Sequence, residues 1–198
     1  MLSTVFFPEL LTAFHQDHPE IAVMLEEYGS VRACDLVQND TLDLALVNME
    51  QYNIDKFHNV VLANDQVVFC VNKDHRLADK EIVTKEMSKE LLIFFNADSV
   101  QNQLLKTRFE MDGYIPNIVM RSSQIYTTLQ FIKTGKYSCF LYSSMLDKFT
   151  DSEITGIPLN PPIHIKIGMI WKKGKYISGD MQTFLNFTRM YYREHPLT

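Results

Sequence analysis

Ser3-Thr4, Ser99 and Ser122-Ser123 each stand at the head of a run whose apolar residues have helical spacing. A helix N-terminus presents unpaired N–H groups and about half a positive charge, so hydroxyls placed there can help to hold an anion. The same residue types are also the commonest plain N-caps, which close the first turn and bind nothing. Val100, beside Ser99, belongs to the same candidate set. Arg121 directly precedes Ser122-Ser123. A guanidinium there could grip a carboxylate with two parallel hydrogen bonds, or simply be solvated. Asn48 follows the apolar run LDLALV and could either donate to a ligand or cap the turn.

Other chemistry is sparse. There is no GxSxG, no phosphate loop, no GxGxxG and no evident acid/base or nucleophile pair. The six histidines show no HExxH; His15 and His18 share a helix face without a third ligand, so neither a metal nor a cofactor is expected. Cys34, Cys70 and Cys139 form no CxxC and fall on predicted helix or strand, as small apolar core residues do. An odd, scattered set of thiols suits a reducing, cytoplasmic setting. Of 198 residues, 46% are apolar and 22% charged, which excludes a disordered chain. The net charge of −5 lacks the basic excess of a duplex-binding module. MLSTVFFPELL has neither the basic start nor the cleavage site of a signal peptide, and no apolar run reaches membrane-spanning length.

The positioning elements follow from periodicity. Phe7, Leu10, Leu11 and Phe14 predict an opening helix, with Pro8 in its first turn and His18-Pro19 at its end. Residues 21–28 have strand composition, 31–39 read as a helix and 42–47 as a buried strand. Strands at 60–63 and 66–72 lead into a polar turn at 73–81. The second half repeats the pattern more fully: strand 91–95, helix 99–112, strand 117–121, helix 123–134 and strand 138–142. Asn160-Pro161-Pro162 reads as a crossing, followed by a strand at 163–171 and a helix at 180–193. Two β-α-β-α-β units predict an α/β protein of two Rossmann-like lobes joined by a hinge, with a crevice at the carboxyl ends of the strands.

The order of these segments resembles the effector-binding domain of LysR-type transcriptional regulators. The resemblance rests on FPELLTAFHQDHPEIAVMLEE, LVQNDTLDLALVN, QVVFCVNKDHRLA, SSQIYTTLQFIKTGKYSCFLYSSM and IWKKGKYISGDMQTFLNF, and covers essentially the whole chain. Gly135-Lys136-Tyr137 replaces the usual Gly-x-Gly, and the family's winged helix-turn-helix and linker helix are not in this sequence.

The resemblance implies a type 2 periplasmic-binding-protein-like fold, with 1–71 and 163–198 as one lobe and 72–162 as the other. It implies hinges at Val71-Asn72 and Ile163-His164, and a small, anionic or carboxylate effector held by Ser3, Thr4, Asn48, Ser99, Val100, Arg121, Ser122 and Ser123. It further implies a homodimer, tetrameric in the full-length protein, that touches DNA only through the missing N-terminal domain and no membrane. Leu10, Leu11 and Phe14 of one chain would then face Leu129 and Ile132 of its partner. In the family a strand precedes the first helix, so the first lobe is expected to lack its leading strand. A ligand-sensing regulator domain is the reading favoured over a free-standing solute-binding protein of a transporter and over an enzyme.

Overall fold

A computed structural model of the chain describes residues 2–50, 54–78, 80, 82–96, 99–149 and 152–196. The first elements are α1 (Leu2–Asp17), α2 (Ser30–Gln38), β1 (Ala45–Asn48), a 3-10 turn (Ile54–Lys56) and β2 (Phe57–Asn72). Next come α3 (Thr84–Met87), β3 (Leu91–Phe94), α4 (Val100–Met111), β4 (Ile118–Arg121) and α5 (Ile125–Lys133). The chain ends with β5 (Tyr137–Tyr142), α6 (Ser143–Phe149), β6 (Ile154–Lys172) and α7 (Gly179–Glu194).

Two compact units result, Met1–Asn64 with Lys166–Thr198, and Asp65–Ile165. The strands β2 and β6 each run from one unit into the other. Nothing between 57 and 72 is Gly or Pro, so the two strands expected there are one continuous strand. The crossings therefore fall at Asn64–Asp65 and Ile165–Lys166. Val71 and Asn72, expected at the first crossing, lie inside the second unit, where Asn72 Nδ2 donates to the Lys133 carbonyl at 3.0 Å. Ile163 and His164 lie just ahead of the second crossing. Asn160-Pro161-Pro162 is part of β6 and not a crossing; proline needs only a position where the ladder does not call on its N–H.

In the first unit β1 pairs antiparallel with the end of β6, Ala45 opposite Ile170 and Asn48 opposite Ile167. Ala33, Cys34, Val37, Val47, Phe57 and Ile170 form a core beneath α2. On α1, Phe6, Leu10 and Phe14 are buried; Phe14 meets Phe184 of α7 edge-on at 4.9 Å. The helix α1 begins at Leu2 and runs through Pro8, so Ser3 and Thr4 sit within it instead of capping it. Residues 21–28 form no strand. Met24, Leu25 and Tyr28 are exposed there, because strand composition yields a strand only where a ladder partner exists, and β1 pairs with β6.

The second unit is the doubly wound part. The strands β4, β3 and β5 are parallel neighbours, and β2 closes on β5 antiparallel, with Cys70 opposite Cys139. The crossovers through α4 and α5 bury Leu105, Phe109, Leu129 and Ile132 against this sheet. Phe140 is the centre of an aromatic cluster, 5.3 Å from Phe69 and 5.7 Å from Phe94.

Candidate functional site

Parallel neighbours must deliver their carboxyl ends to the same edge of a sheet. Phe94 at the end of β3 is in register with Arg121 at the end of β4, and the Ser122 N–H donates to the Phe94 carbonyl at 3.0 Å. The chain then turns into α4 and α5, so two helix N-termini leave one end of the second unit.

Ser99 is the N-cap of α4. Its carbonyl accepts from Asn102 and Gln103, yet its half-buried side chain makes no capping hydrogen bond. Ordinary capping serines spend their hydroxyl on the N2 or N3 amide, so an N-cap hydroxyl left unused is available to a ligand. Val100, the first helical residue, is buried and contributes its backbone. The N-cap of α5 is Gln124, not Ser122 or Ser123 as the sequence suggested, and its side chain caps nothing. Ser122 Oγ accepts from the Gln124 N–H at 3.0 Å, whereas the exposed Ser123 hydroxyl has no partner among the described residues.

Arg121 is exposed, with its guanidinium 6.0 Å from the Phe94 ring centroid and Nη1 at 3.4 Å from the Phe95 carbonyl. Beneath it lies a residue that periodicity did not single out. Asn102 is buried, and its Nδ2 donates to the carbonyls of Phe95 and Asn96, the latter at 2.7 Å. These bonds tie the end of β3 to the first turn of α4 and thereby fix Ser99. The clue available in the sequence is the polar run Gln101-Asn102-Gln103 where a helix needs inward-facing residues. Gln101 behaves likewise, donating to the Phe140 carbonyl at 2.7 Å.

The remaining candidates lie in the first unit. The Ser3 hydroxyl donates to Glu27, so a carboxylate of the chain itself occupies it; Thr4 is exposed. Asn48 is fully buried, its N–H donates to Ser30 Oγ at 3.1 Å, and its Oδ1 accepts from the Glu50 N–H at 3.0 Å. The turn-capping reading of Asn48 is thus the one its geometry displays. Of the residues expected at a dimer surface, Leu10, Phe14, Leu129 and Ile132 are buried within their own unit, and only Leu11 is part-exposed. Helical spacing alone cannot tell an inward stripe from a second apolar face. The three cysteines are buried, and burial pushes the Cys34 thiol up to about 12 and the Cys139 thiol well above its ordinary value.

Comparison with known proteins follows this geometry. The family described as LysR substrate binding domain matches residues 1–193. The uncharacterized HTH-type transcriptional regulator YwbI of Bacillus subtilis is 28% identical over 193 residues, covering 96% of this chain and 64% of its own length. The HTH-type transcriptional activator CmpR of Synechocystis is 24% identical over 188 residues, covering 92% of this chain and 60% of its own length. The chain therefore spans less than two thirds of these relatives, which are transcriptional regulators and not transporter-binding proteins. Among solved structures, the regulatory domain of Synechocystis CcmR in complex with 2-PG has a TM-score of 0.87 at 22% identity, over 96% of this chain and 93% of that one. The effector-binding domain of QuiR in complex with shikimate has a TM-score of 0.77 at 20% identity, over 95% and 90%. Both likenesses place the fold among two-lobed, periplasmic-binding-protein-like domains. No helix among the described residues is long and apolar enough to cross a membrane.

Proposed function

This chain belongs to the LysR substrate-binding domain family, and from that premise we propose that it senses a small anionic effector for a DNA-binding regulator of transcription. The observation that carries the reading is the pairing of two helix N-termini at the ends of β3 and β4, with the Ser99 and Ser123 hydroxyls without a partner among the described residues. Ser99, Val100, Arg121, Ser122 and Ser123 of the second unit hold the effector's oxyanion. The chemistry is binding alone, without cofactor or catalysis. Similar folds hold 2-PG in CcmR and shikimate in QuiR, both small oxygen-rich acids, which supports this ligand class.

The DNA-binding part lies outside this chain, and the regulator acts in the cytoplasm as a homodimer or a tetramer whose geometry the effector changes. The dimer uses the outer faces of α1 and α5, where Leu11 and Phe7 are part-exposed and Tyr126 is 75% exposed. Sedimentation that finds a monomer at high micromolar concentration overturns that assembly.

A thermal-shift and calorimetry panel of small carboxylates and phospho-acids, including 2-phosphoglycolate and shikimate, tests the effector reading. A true effector at 100 times its Kd raises apparent stability by about 2.7 kcal/mol. Ser99→Ala with Ser123→Ala then weakens it by about 1–3 kcal/mol. Unchanged affinity in that double variant moves the site elsewhere.

A further inference from the structure

The turn that carries the chain out of β2 is built around one histidine. The His75 N–H donates to the carbonyl of Asn72, the last residue of β2, and the His75 carbonyl accepts from Ala78, both at 2.9 Å. Leu77 and Ile82 are fully buried and anchor the turn in the second unit. The Ile82 carbonyl accepts from the Asn160 N–H at 3.0 Å, and Ile82 bridges Leu159 of β6. The turn therefore ties β2 to β6, the two strands that run from one unit into the other.

Both nitrogens of the His75 ring are in use. Nδ1 lies 3.3 Å from the Leu77 nitrogen; an amide N–H can only donate, so Nδ1 is bare and accepts. Nε2 lies 3.2 Å from Glu90 Oε2; a carboxylate can only accept, so the ring proton is on Nε2. The two partners together select one neutral tautomer. The ring and the carboxylate are each 10% exposed, so water does not readily replace either bond. The other oxygen of Glu90 accepts from Arg76. Among the described residues, Glu90, from the link between α3 and β3, and Arg76, from the turn itself, are the charged groups paired with the ring or with its carboxylate.

A second proton on the ring cannot keep both bonds. It would sit on Nδ1 and point at the Leu77 N–H, donor against donor, while the charged ring gains attraction from Glu90 through Nε2. The Leu77 amide is then the partner given up. Imidazole is the side chain that ordinarily titrates between about pH 5 and 8. We propose that His75, Glu90 and Arg76 form a pH-sensitive clasp: acidification releases the Leu77 N–H and loosens the turn that ties β2 to β6, while the sheet of the second unit stays formed. Glu90 precedes the amino end of β3, whereas the helix N-termini described above leave from the carboxyl ends of β3 and β4, so the clasp is distinct from the anion site.

Nitrogen-15 NMR of the whole chain tests the clasp. At about pH 8 the His75 ring is expected as the Nε2–H tautomer, and a proton on Nδ1 there overturns the proposal. Hydrogen exchange of the Leu77 amide, divided by its intrinsic rate at each pH, is then followed down to about pH 5. Its protection is expected to fall about fivefold, the loss of one hydrogen bond, with the amides of β5 unchanged. Constant protection at Leu77, or an equal loss in β5, overturns the proposal. His75→Gln removes the titrating ring and is expected to make Leu77 protection independent of pH. Glu90→Gln keeps an accepting oxygen for the Nε2–H and removes the counter-charge; it is expected to move the midpoint of the Leu77 response about one pH unit lower. A native response in His75→Gln, or an unmoved midpoint in Glu90→Gln, shows that the ring and its carboxylate are not the sensor.

Discussion

Replacing Asn102 tests whether the end of β3 and the start of α4 are held together by one amide. In the native chain its Nδ2 donates to two carbonyls, those of Phe95 and Asn96, while its Oδ1 is buried without a partner among the described residues. In Asn102→Ala the exposed Asn96 carbonyl recovers water, whereas the carbonyl of Phe95, which is 4% exposed, keeps among the described residues only the 3.4 Å contact from Arg121. An under-satisfied buried carbonyl costs about 1–3 kcal/mol, and losing the orphaned Oδ1 returns part of this, leaving about 2 kcal/mol net. For a chain of this size that is a fall in Tm of roughly 4–8 °C. Asn102→Asp is the sharper variant, because it keeps the shape but aims a carboxylate at two carbonyls. It is expected to lose more than the alanine variant despite being nearly isosteric. Thermal unfolding followed by circular dichroism reads both. If Asn102→Ala melts within about 1 °C of the native chain, or Asn102→Asp melts above it, the amide does not hold this turn.

Other outcomes follow from single contacts. Gly168→Ala places a Cβ 2.5 Å from the Val60 carbonyl oxygen, which is backbone and cannot turn aside. It should destabilise by about 1–3 kcal/mol or more, and Met49→Ala should not rescue it, as differential scanning calorimetry of the double variant will show. Gly135→Ala acts by another route, since φ is +75° with open space around it; a loss of about 1 kcal/mol in urea unfolding is expected. Cys34, Cys70 and Cys139 should all resist Ellman's reagent until the chain unfolds, given their burial and the raised Cys34 and Cys139 thiols; fast reaction of any one in the native state contradicts the packing described. The hydrogen bond from Lys172 lowers the Asp40 carboxyl below 3.8, so Asp40 stabilises the fold above that pH and the gain is lost as pH falls through the depressed value. Thermal melts between pH 6 and pH 3 should therefore fall less steeply in Lys172→Gln than in the native chain.

Much of the second unit was legible because its elements are local. The segments LLIFF, NIVMR and SCFLY carry strand composition, the intervening helices have clear periodicity, and Gly135 ends α5 where φ must turn positive. Hydroxyls at helix starts could be found by type, but their use could not. Ser122 spends its hydroxyl on the Gln124 amide and Ser3 on Glu27, while Ser99 and Ser123 have no partner among the described residues. That difference depends on which group the fold brings beside each hydroxyl.

Composition and periodicity by themselves determined the α/β class and the β-α-β-α-β plan of the second unit, since each depends on residues close in sequence, while the family was legible as a resemblance in the order of the segments. Tertiary structure decided everything that needs a distant partner. Residues 21–28 have the side chains of a strand and are not one, because β1 pairs with β6. Leu10, Phe14, Leu129 and Ile132 have the spacing of an interface and are core, because helix faces acquire an inside only when packed. The rings of Phe187, Tyr191 and His195 are written at four-residue intervals, but the packing of Phe187 against Phe14 and His18 exists only because α7 lies beside α1. Hydrogen-bond partners and burial are properties of the folded contact set, and a one-dimensional pattern constrains them without choosing among them.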